Sequence, residues 1–223
     1  MKAPRSASLP KHFCWTRFGT EAGQEVSSIL ARKERERLAT GGLFLWGIGN
    51  SVGPAMRHLV RLESVPLAVF SPMRSKPKAI DVAPSRVVRW TRALDMDGHD
   101  WSIPEAVTVL SRGSSVELGD KRYHYALVCR SGQPLQGLEI GRVAYNRLVN
   151  LLSGARLGAS QVTAVVEHLK NVGDAQSVYP IAFTAELAFP YFVKLEDPVE
   201  LQGEGIRLAG TLRRGRKGGF LAN

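Results

Sequence analysis

Two tryptophans and a nearby polar pair are the side chains of this chain best suited to contact a nucleic-acid base. Trp15 and Trp46 carry large aromatic faces, and such faces stack on unpaired bases. Asn50 and Ser51 follow Trp46 closely, and an amide or hydroxyl hydrogen-bonds base edges. We therefore predict a base-binding pocket formed by these four residues. The alternative for each tryptophan is a place in the hydrophobic core, where strand aromatics commonly pack.

Cationic side chains recur beside the aromatic ones and in a proline-rich segment. The candidate phosphate contacts are Arg17, Arg74, Lys76, Lys78, Arg89, Arg92, Arg213, Arg214, Arg216 and Lys217. The whole chain contains 30 Lys and Arg against 20 Asp and Glu, which gives a net charge of +10 and a pI near 10.0. Such a basic balance favours a polyanionic partner, because cations neutralise backbone phosphates. The predicted partner is nucleic acid, either DNA or RNA.

A glycine-rich turn follows a short apolar run. Its spacing is Gly47-x-Gly49-x-x-x-Gly53 with a proline next, so we expect a helix to begin there with Asn50 or Ser51 as its cap. Backbone N–H groups at a helix start favour anions. A first alternative function is therefore an NADP-dependent oxidoreductase that holds its cofactor at this turn. The spacing differs from the dinucleotide-binding G-x-G-x-x-G, and no sustained alternation of strands and helices follows.

A short acidic segment supports a second alternative. Asp95, Asp97, His99 and Asp100 lie within six consecutive residues, and carboxylate oxygens with an imidazole are able to bind Mg²⁺. A metal-dependent nuclease would use such a site. Turn chemistry explains the same residues, because Asp97-Gly98 is a typical hairpin turn. We favour the turn.

Several other functional classes lack their sequence signature. Cys14 and Cys129 are far apart and have no C-x-x-C partner, so neither a zinc ribbon nor a thiol–disulfide motif is indicated. No apolar run reaches the ~20 residues that span a bilayer, which predicts a cytoplasmic protein without a membrane partner. The main hypothesis needs no catalytic residue, metal or cofactor, because the chain would act by recognition alone.

The secondary structure that must position these residues contains more strands than helices. Helices are predicted at 26–38, 54–62, 143–152 and 160–170. Strands are predicted at 12–18, 43–46, 66–70, 87–94, 123–129, 181–187 and 191–195. Pro190 separates the last two. In the first helix, the charged run 32–37 is expected to form a solvated face.

This order of elements predicts an α+β fold with a mixed, mostly antiparallel curved sheet or small β-barrel and peripheral helices. We expect a flexible basic arm at 1–11 and a single domain at 12–200 with a helical elaboration at about 143–170. A Gly/Arg-rich basic tail is expected at 201–223.

The arrangement resembles the PUA-like superfamily, in particular its ASCH, EVE and YTH-like branches. The resemblance rests on an early strand, a helix and the strands at 43–49, 66–70 and 87–94, which cover about the first hundred residues. It implies a PUA-like fold with a pocket beside the curved sheet, formed by the four base-binding candidates. It also implies recognition of a modified or flipped base in DNA or RNA, within bacterial modification or phage-defence systems.

Overall fold

The computed structural model of this protein describes residues 9–19, 26–49, 52–73, 86–105, 109–111, 124–135, 139–158, 161–170 and 177–200. At 86–89, 109–111, 124 and 198–200 the backbone alone is described. The basic arm expected at 1–11 lies mostly outside these ranges, and the tail expected at 201–223 lies entirely outside them.

Two helices and twelve strands make up the described part of the chain. The helices are α1 (Val26–Ala39) and α2 (Gly53–Leu62). The strands are β1 (His12–Phe18), β2 (Leu43–Ile48), β3 (Leu67–Pro72), β4 (Arg86–Leu94), β5 (Asp100–Trp101), β6 (Val109–Ser111), β7 (His124–Arg130), β8 (Gly141–Ala144), β9 (Leu148–Asn150), β10 (Thr163–His168), β11 (Val178–Ile181) and β12 (Phe183–Glu200). A 3₁₀ turn at Tyr145–Arg147 separates β8 from β9. Neither described helix has the length and apolar character that crossing a membrane requires.

Ten of the strands form one sheet. Its order is β2-β7-β12-β3-β1-β10-β9, and β4 joins β12 with β5 and β6 beside it. Every pairing in this sheet is antiparallel except that of β1 with β3. The remaining strands, β8 and β11, form a separate antiparallel pair. The prediction of an α+β fold with a mixed, mostly antiparallel sheet is confirmed.

The sheet curls until β2, at one end of the row, approaches β1. Trp46 on β2 has its ring centroid 5.5 Å from that of Phe18 on β1 and 4.8 Å from that of Phe70 on β3. Strand twist and bulges produce such coiling. The described strands do not close into a barrel, because no backbone pairing joins β2 to β1.

Strand β12 changes partners along its length. Its first part pairs with β3 and its last part with β4, while β7 runs along its other edge. The register with β7 shifts between Leu187 and Phe192. The prediction of two strands broken at Pro190 is therefore wrong. The single strand β12 accommodates this proline in a bulge, where the hydrogen-bond ladder is already interrupted.

The buried side chains of the described residues form three separate cores, two of which lie on opposite faces of β1. Along β1, Cys14 and Phe18 point toward α1 and α2, whereas Phe13 and Trp15 point the other way, since strand residues alternate. The helix-side core includes Cys14, Phe18, Leu30, Trp46, Met56 and Phe70. The far-side core includes Phe13, Trp15, Val69, Tyr145, Leu148 and Ile181.

The prediction of two helices between residues 143 and 170 is wrong. This segment forms β8, the 3₁₀ turn, β9 and β10. Ala164, Val165 and Val166 are all buried, because β10 is covered on both faces. A strand of this type is a continuous apolar run without a period of two, so its sequence resembles that of a buried helix.

Helix α1 turns part of its charged run toward the sheet. Arg32, Lys33 and Glu36 are buried, and the Glu36 carboxylate lies 2.7 Å from Lys33 Nζ and 3.3 Å from Arg32 Nη1. Burial, which the nearby Glu36 partly offsets, lowers the pKa of Lys33 to about 8. The prediction of a solvated face is wrong for these three residues, because helical spacing places them on the same side as the buried Ile29.

Candidate functional site

Trp15 lies fully buried in the far-side core, beside two tyrosines and an arginine. The ring centroids of Tyr145 and Tyr179 lie 6.2 and 6.5 Å from that of Trp15 and 4.8 Å from each other. Arg17 is two residues further along the same face of β1, and its guanidinium carbon lies 4.8 Å from the Tyr179 centroid. This is a cation–π contact. Together the four side chains form the aromatic-arginine cluster.

The pair β8 and β11 holds the two tyrosines in place. Tyr179 pairs with Val143, and the backbone N–H of Tyr145 donates to the Ser177 carbonyl at 3.1 Å. The Tyr145 hydroxyl donates to the Gly158 carbonyl. Burial raises the pKa of Tyr145 above its ordinary value, so its hydroxyl stays protonated. Tyr145 is therefore a fixed, buried member of the cluster, whereas Tyr179 is only half-buried.

Two buried polar groups near this cluster have no hydrogen-bond partner among the described residues. They are the indole N–H of Trp15 and the hydroxyl of Ser71, and both side chains are fully buried. Ser71 is the register partner of Arg17 in the β1–β3 pairing and lies on the same face. A buried donor without an acceptor costs about 1–3 kcal/mol. Since both side chains are fully buried, these unpaired groups lower the stability of the fold and are not exposed to a ligand.

Trp46 lies on the opposite side of the sheet. The rings of Phe18, Phe70 and Phe183 have their centroids within 6.0 Å of its own, and only 7% of the residue is exposed. The structure thus corrects the expectation that one pocket contains both Trp15 and Trp46. Local sequence shows that each tryptophan is in a strand, but the face depends on the strand's placement in the sheet.

Most of the other predicted contacts lie outside the described residues. These are Asn50, Ser51, Arg74, Lys76, Lys78, Arg213, Arg214, Arg216 and Lys217. The backbone of Arg89 is part of β4, but its side chain is not described. The roles of these residues stay predictions.

Arg92, a predicted phosphate contact, is engaged by carboxylates. Its Nε donates to Asp100 Oδ1 at 2.7 Å, and its Nη1 lies 3.3 Å from Glu196 Oε2. Two neighbouring negative charges oppose the approach of a phosphate. We therefore do not retain Arg92 as a phosphate contact.

The glycine turn is not part of a dinucleotide-binding unit. β2 pairs antiparallel with β7, and β3, which follows α2, pairs with β1 instead. A dinucleotide-binding unit requires parallel strands on either side of its helix. The N-cap of α2 is Val52, which corrects the expected cap at Asn50 or Ser51. Gly53 lets α2 begin close to β12, because a Cβ there would lie 3.3 Å from Phe192 Cε1.

The acidic segment forms the turn between β4 and β5. Asp95 Oδ1 accepts the backbone N–H groups of Asp97 at 2.8 Å and His99 at 2.9 Å, and Gly98 has a φ of +87°. Desolvation acts to raise the pKa of Asp95, but these N–H groups hold it below its ordinary value. The ligand atoms of Asp95, Asp97 and His99 do lie within 4.8 Å of one another. The hydrogen bonds nevertheless account for the arrangement without an ion.

Three cations that were not predicted from the sequence lie near the β9–β10 edge of the sheet. Arg147 and Lys170 adjoin His168, whereas Arg156, bridged to Val149 and thus in line with Glu167, points to the helix-side face. Arg147 Nη1 donates to the Lys170 carbonyl at 3.3 Å, and Arg156 forms an isolated bridge with Val149 of β9. Neither Arg156 nor Lys170 has a carboxylate partner in the part of the chain that the structure describes. These cations stand singly among other residues, so no charge run marks them in the sequence.

Comparisons of the chain with protein-family models, with curated proteins and with solved structures found no match.

Proposed function

We propose that this protein binds nucleic acid, either DNA or RNA, on the face that carries the far-side core. The net charge of +10 supports an anionic partner. The observation that carries the proposal is the contact of Arg17 with the half-buried Tyr179 at 4.8 Å, beside the buried Trp15. An aromatic face and a cation are the groups that bind an unstacked base and its phosphate.

Each member of the cluster has a distinct role in this proposal. Tyr179 stacks on the base, because its ring is only half-buried. Trp15 packs behind the two tyrosines and holds their rings in place. Arg17 contacts phosphate, together with Lys170. Trp46 is a core residue in this proposal, because it lies on the other side of the sheet.

The finer proposal is that the bound base is modified or flipped out of its stack, as the PUA-like resemblance implies. A base that has left its stack exposes both its face and its hydrogen-bonding edge. Asn50 and Ser51 stay candidates for reading that edge. Arg74, Lys76 and Lys78 stay candidates for further phosphate contacts.

Fluorescence anisotropy titrations with labelled single-stranded DNA and RNA at two salt concentrations test the proposal. We expect saturable binding that weakens as salt rises, because each neutralised phosphate releases counterions. Oligonucleotides with and without a modified base separate general binding from base recognition. Failure to bind any oligonucleotide at low salt would reject the proposed function.

A further inference from the structure

A cluster of basic groups lies where β10 ends, apart from the aromatic-arginine cluster. The backbone N–H of His168 donates to the Lys11 carbonyl at 2.7 Å. Arg147 is held at the same strand end, since its carbonyl accepts the Leu169 N–H at 2.9 Å and its Nη1 donates to the Lys170 carbonyl at 3.3 Å. The side chains of His168, Arg147 and Lys170 together form the His168 notch.

The two charges that act on His168 are both positive. Burial lowers the pKa of His168 below its ordinary value, and the charges of Lys170 and Arg147 lower it further. Its Nδ1 is buried without a partner among the described residues, so protonation there would add an unsatisfied N–H. The adjacent carboxylate, Glu167, points to the other face of β10 and pairs with Lys11 at 3.0 Å.

The geometry points to the His168 notch as a binding site for one backbone phosphate, coupled to protonation of His168. An anion between Arg147 and Lys170 offsets the positive field that keeps the imidazole neutral. Phosphate binding therefore takes up a proton, and affinity rises as the pH falls through the pKa of His168 in the complex. The inference rests on the proposed function, but an inorganic anion tests the site separately.

The test is an NMR titration of the His168 imidazole in the full chain, with either sodium sulfate or a short single-stranded oligonucleotide. Sulfate remains a dianion throughout the titration, so any change in the titration curve reports protonation of the protein and not of the anion. We expect either anion to raise the pKa of His168 by about one unit. The Kd for the oligonucleotide should fall by up to about tenfold, the limit for a one-unit shift, as the pH falls from above the pKa of His168 in the complex to below its pKa in the free chain.

Two variants and a control separate the notch from general electrostatics. Lys170→Gln, at an exposed position, should raise the pKa of the free imidazole and reduce the sulfate-induced rise. His168→Gln should abolish the pH dependence of oligonucleotide binding. His99→Gln, on the exposed β4–β5 turn, should retain it. If His168→Gln fails to fold, the sulfate-induced rise in the pKa of His168 in Lys170→Gln still tests the site.

The outcomes distinguish the site from the proposed function. If an oligonucleotide binds but the pKa of His168 does not change, the assignment of the notch to a backbone phosphate is overturned and the proposed function stands. A sulfate response without any oligonucleotide binding supports an anion site and overturns the proposed function. A pKa of His168 that responds to neither anion overturns the notch.

Discussion

Tyr179 is the residue on which the proposed base stacking depends. It is half-buried, and it contacts Arg17 on one side and Tyr145 on another. Tyr179→Leu removes the aromatic face but keeps an apolar side chain. We expect the affinity for a single-stranded oligonucleotide to fall by about tenfold, because stacking contributes about 1–3 kcal/mol per base. The salt dependence should not change, and anisotropy titrations at two salt concentrations measure both quantities.

Tyr125→Leu is the matched control for that variant. Tyr125 stacks on Phe192 at 5.3 Å and packs against the helix-side core. Loss of the Tyr125 ring should leave the affinity for the oligonucleotide unchanged, provided that circular dichroism shows that the variant is folded. Equal losses in the two variants would contradict a specific role for Tyr179.

Glu36 is a second residue whose replacement has a defined consequence. Its carboxylate accepts hydrogen bonds from both Lys33 and Arg32 in a buried setting. Glu36→Gln should lower the free energy of unfolding by about 3–5 kcal/mol, because two buried cations lose this carboxylate. Lys33→Met should lower the free energy of unfolding by less, since Glu36 still pairs with Arg32 in that variant. Urea denaturation measures both variants, and the opposite order of costs would refute this account of the cluster.

The lowered pKa of Lys33 also predicts a pH dependence of the free energy of unfolding. Its pKa in the folded chain is about 8, below its ordinary value of 10.5, so the unfolded chain binds this proton at higher pH. The contribution of Lys33 to the free energy of unfolding should therefore rise by up to about 3 kcal/mol as the pH increases between these two values. The buried thiols of Cys14 and Cys129 act in the opposite direction, because burial raises their pKa. Urea denaturation across that range should therefore show the free energy of unfolding of the wild type rising relative to that of Lys33→Met. A difference between the two proteins that does not change with pH would contradict the prediction.

The turn between α1 and β2 requires glycine at one position more than at the next. Gly42 has a φ of +117°, and a Cβ there would lie 3.3 Å from the Ser131 carbonyl oxygen, whereas Gly41 has a φ of +69° and open space. Gly42→Ala should destabilise by about 2–3 kcal/mol and Gly41→Ala by about 1 kcal/mol. Thermal denaturation compares the two, and similar losses would show that the close approach has no effect.

The early elements could be predicted from the sequence because their signals are local. A proline marks the start of α2, alternation marks β1, and Asp97-Gly98 marks the β4–β5 turn. The identity of β8, β9 and β10 could not be predicted. They are short or covered on both faces, and their burial depends on strands that are distant in sequence.

The candidate site was predictable only in part. Trp15 and Arg17 could be singled out because an aromatic and a cation stand two residues apart on one strand. Tyr145 and Tyr179 could not, because they reach Trp15 only through the pairing of β8 with β11. No local pattern in the sequence shows that this pair packs against β1.

The described cations differ in how their charge is balanced. Arg57 and Arg92, near the β4–β5 turn, each form an ion pair with an aspartate. Lys170, beside His168 on the far side, has no carboxylate partner among the described residues. A polyanion is therefore expected to bind the far-side surface in preference to the turn.

The most direct measurement compares two double variants by oligonucleotide titration at several salt concentrations. Arg17→Gln with Lys170→Gln and Arg57→Gln with Arg92→Gln each remove two positive charges, so the net charge falls equally. We predict that the first pair weakens binding and reduces the slope of log K against log salt by about 1.4 for a single strand. The second pair should bind like the wild type. Equal losses in the two double variants, or no binding by the wild type, would contradict nucleic-acid binding on the far-side surface.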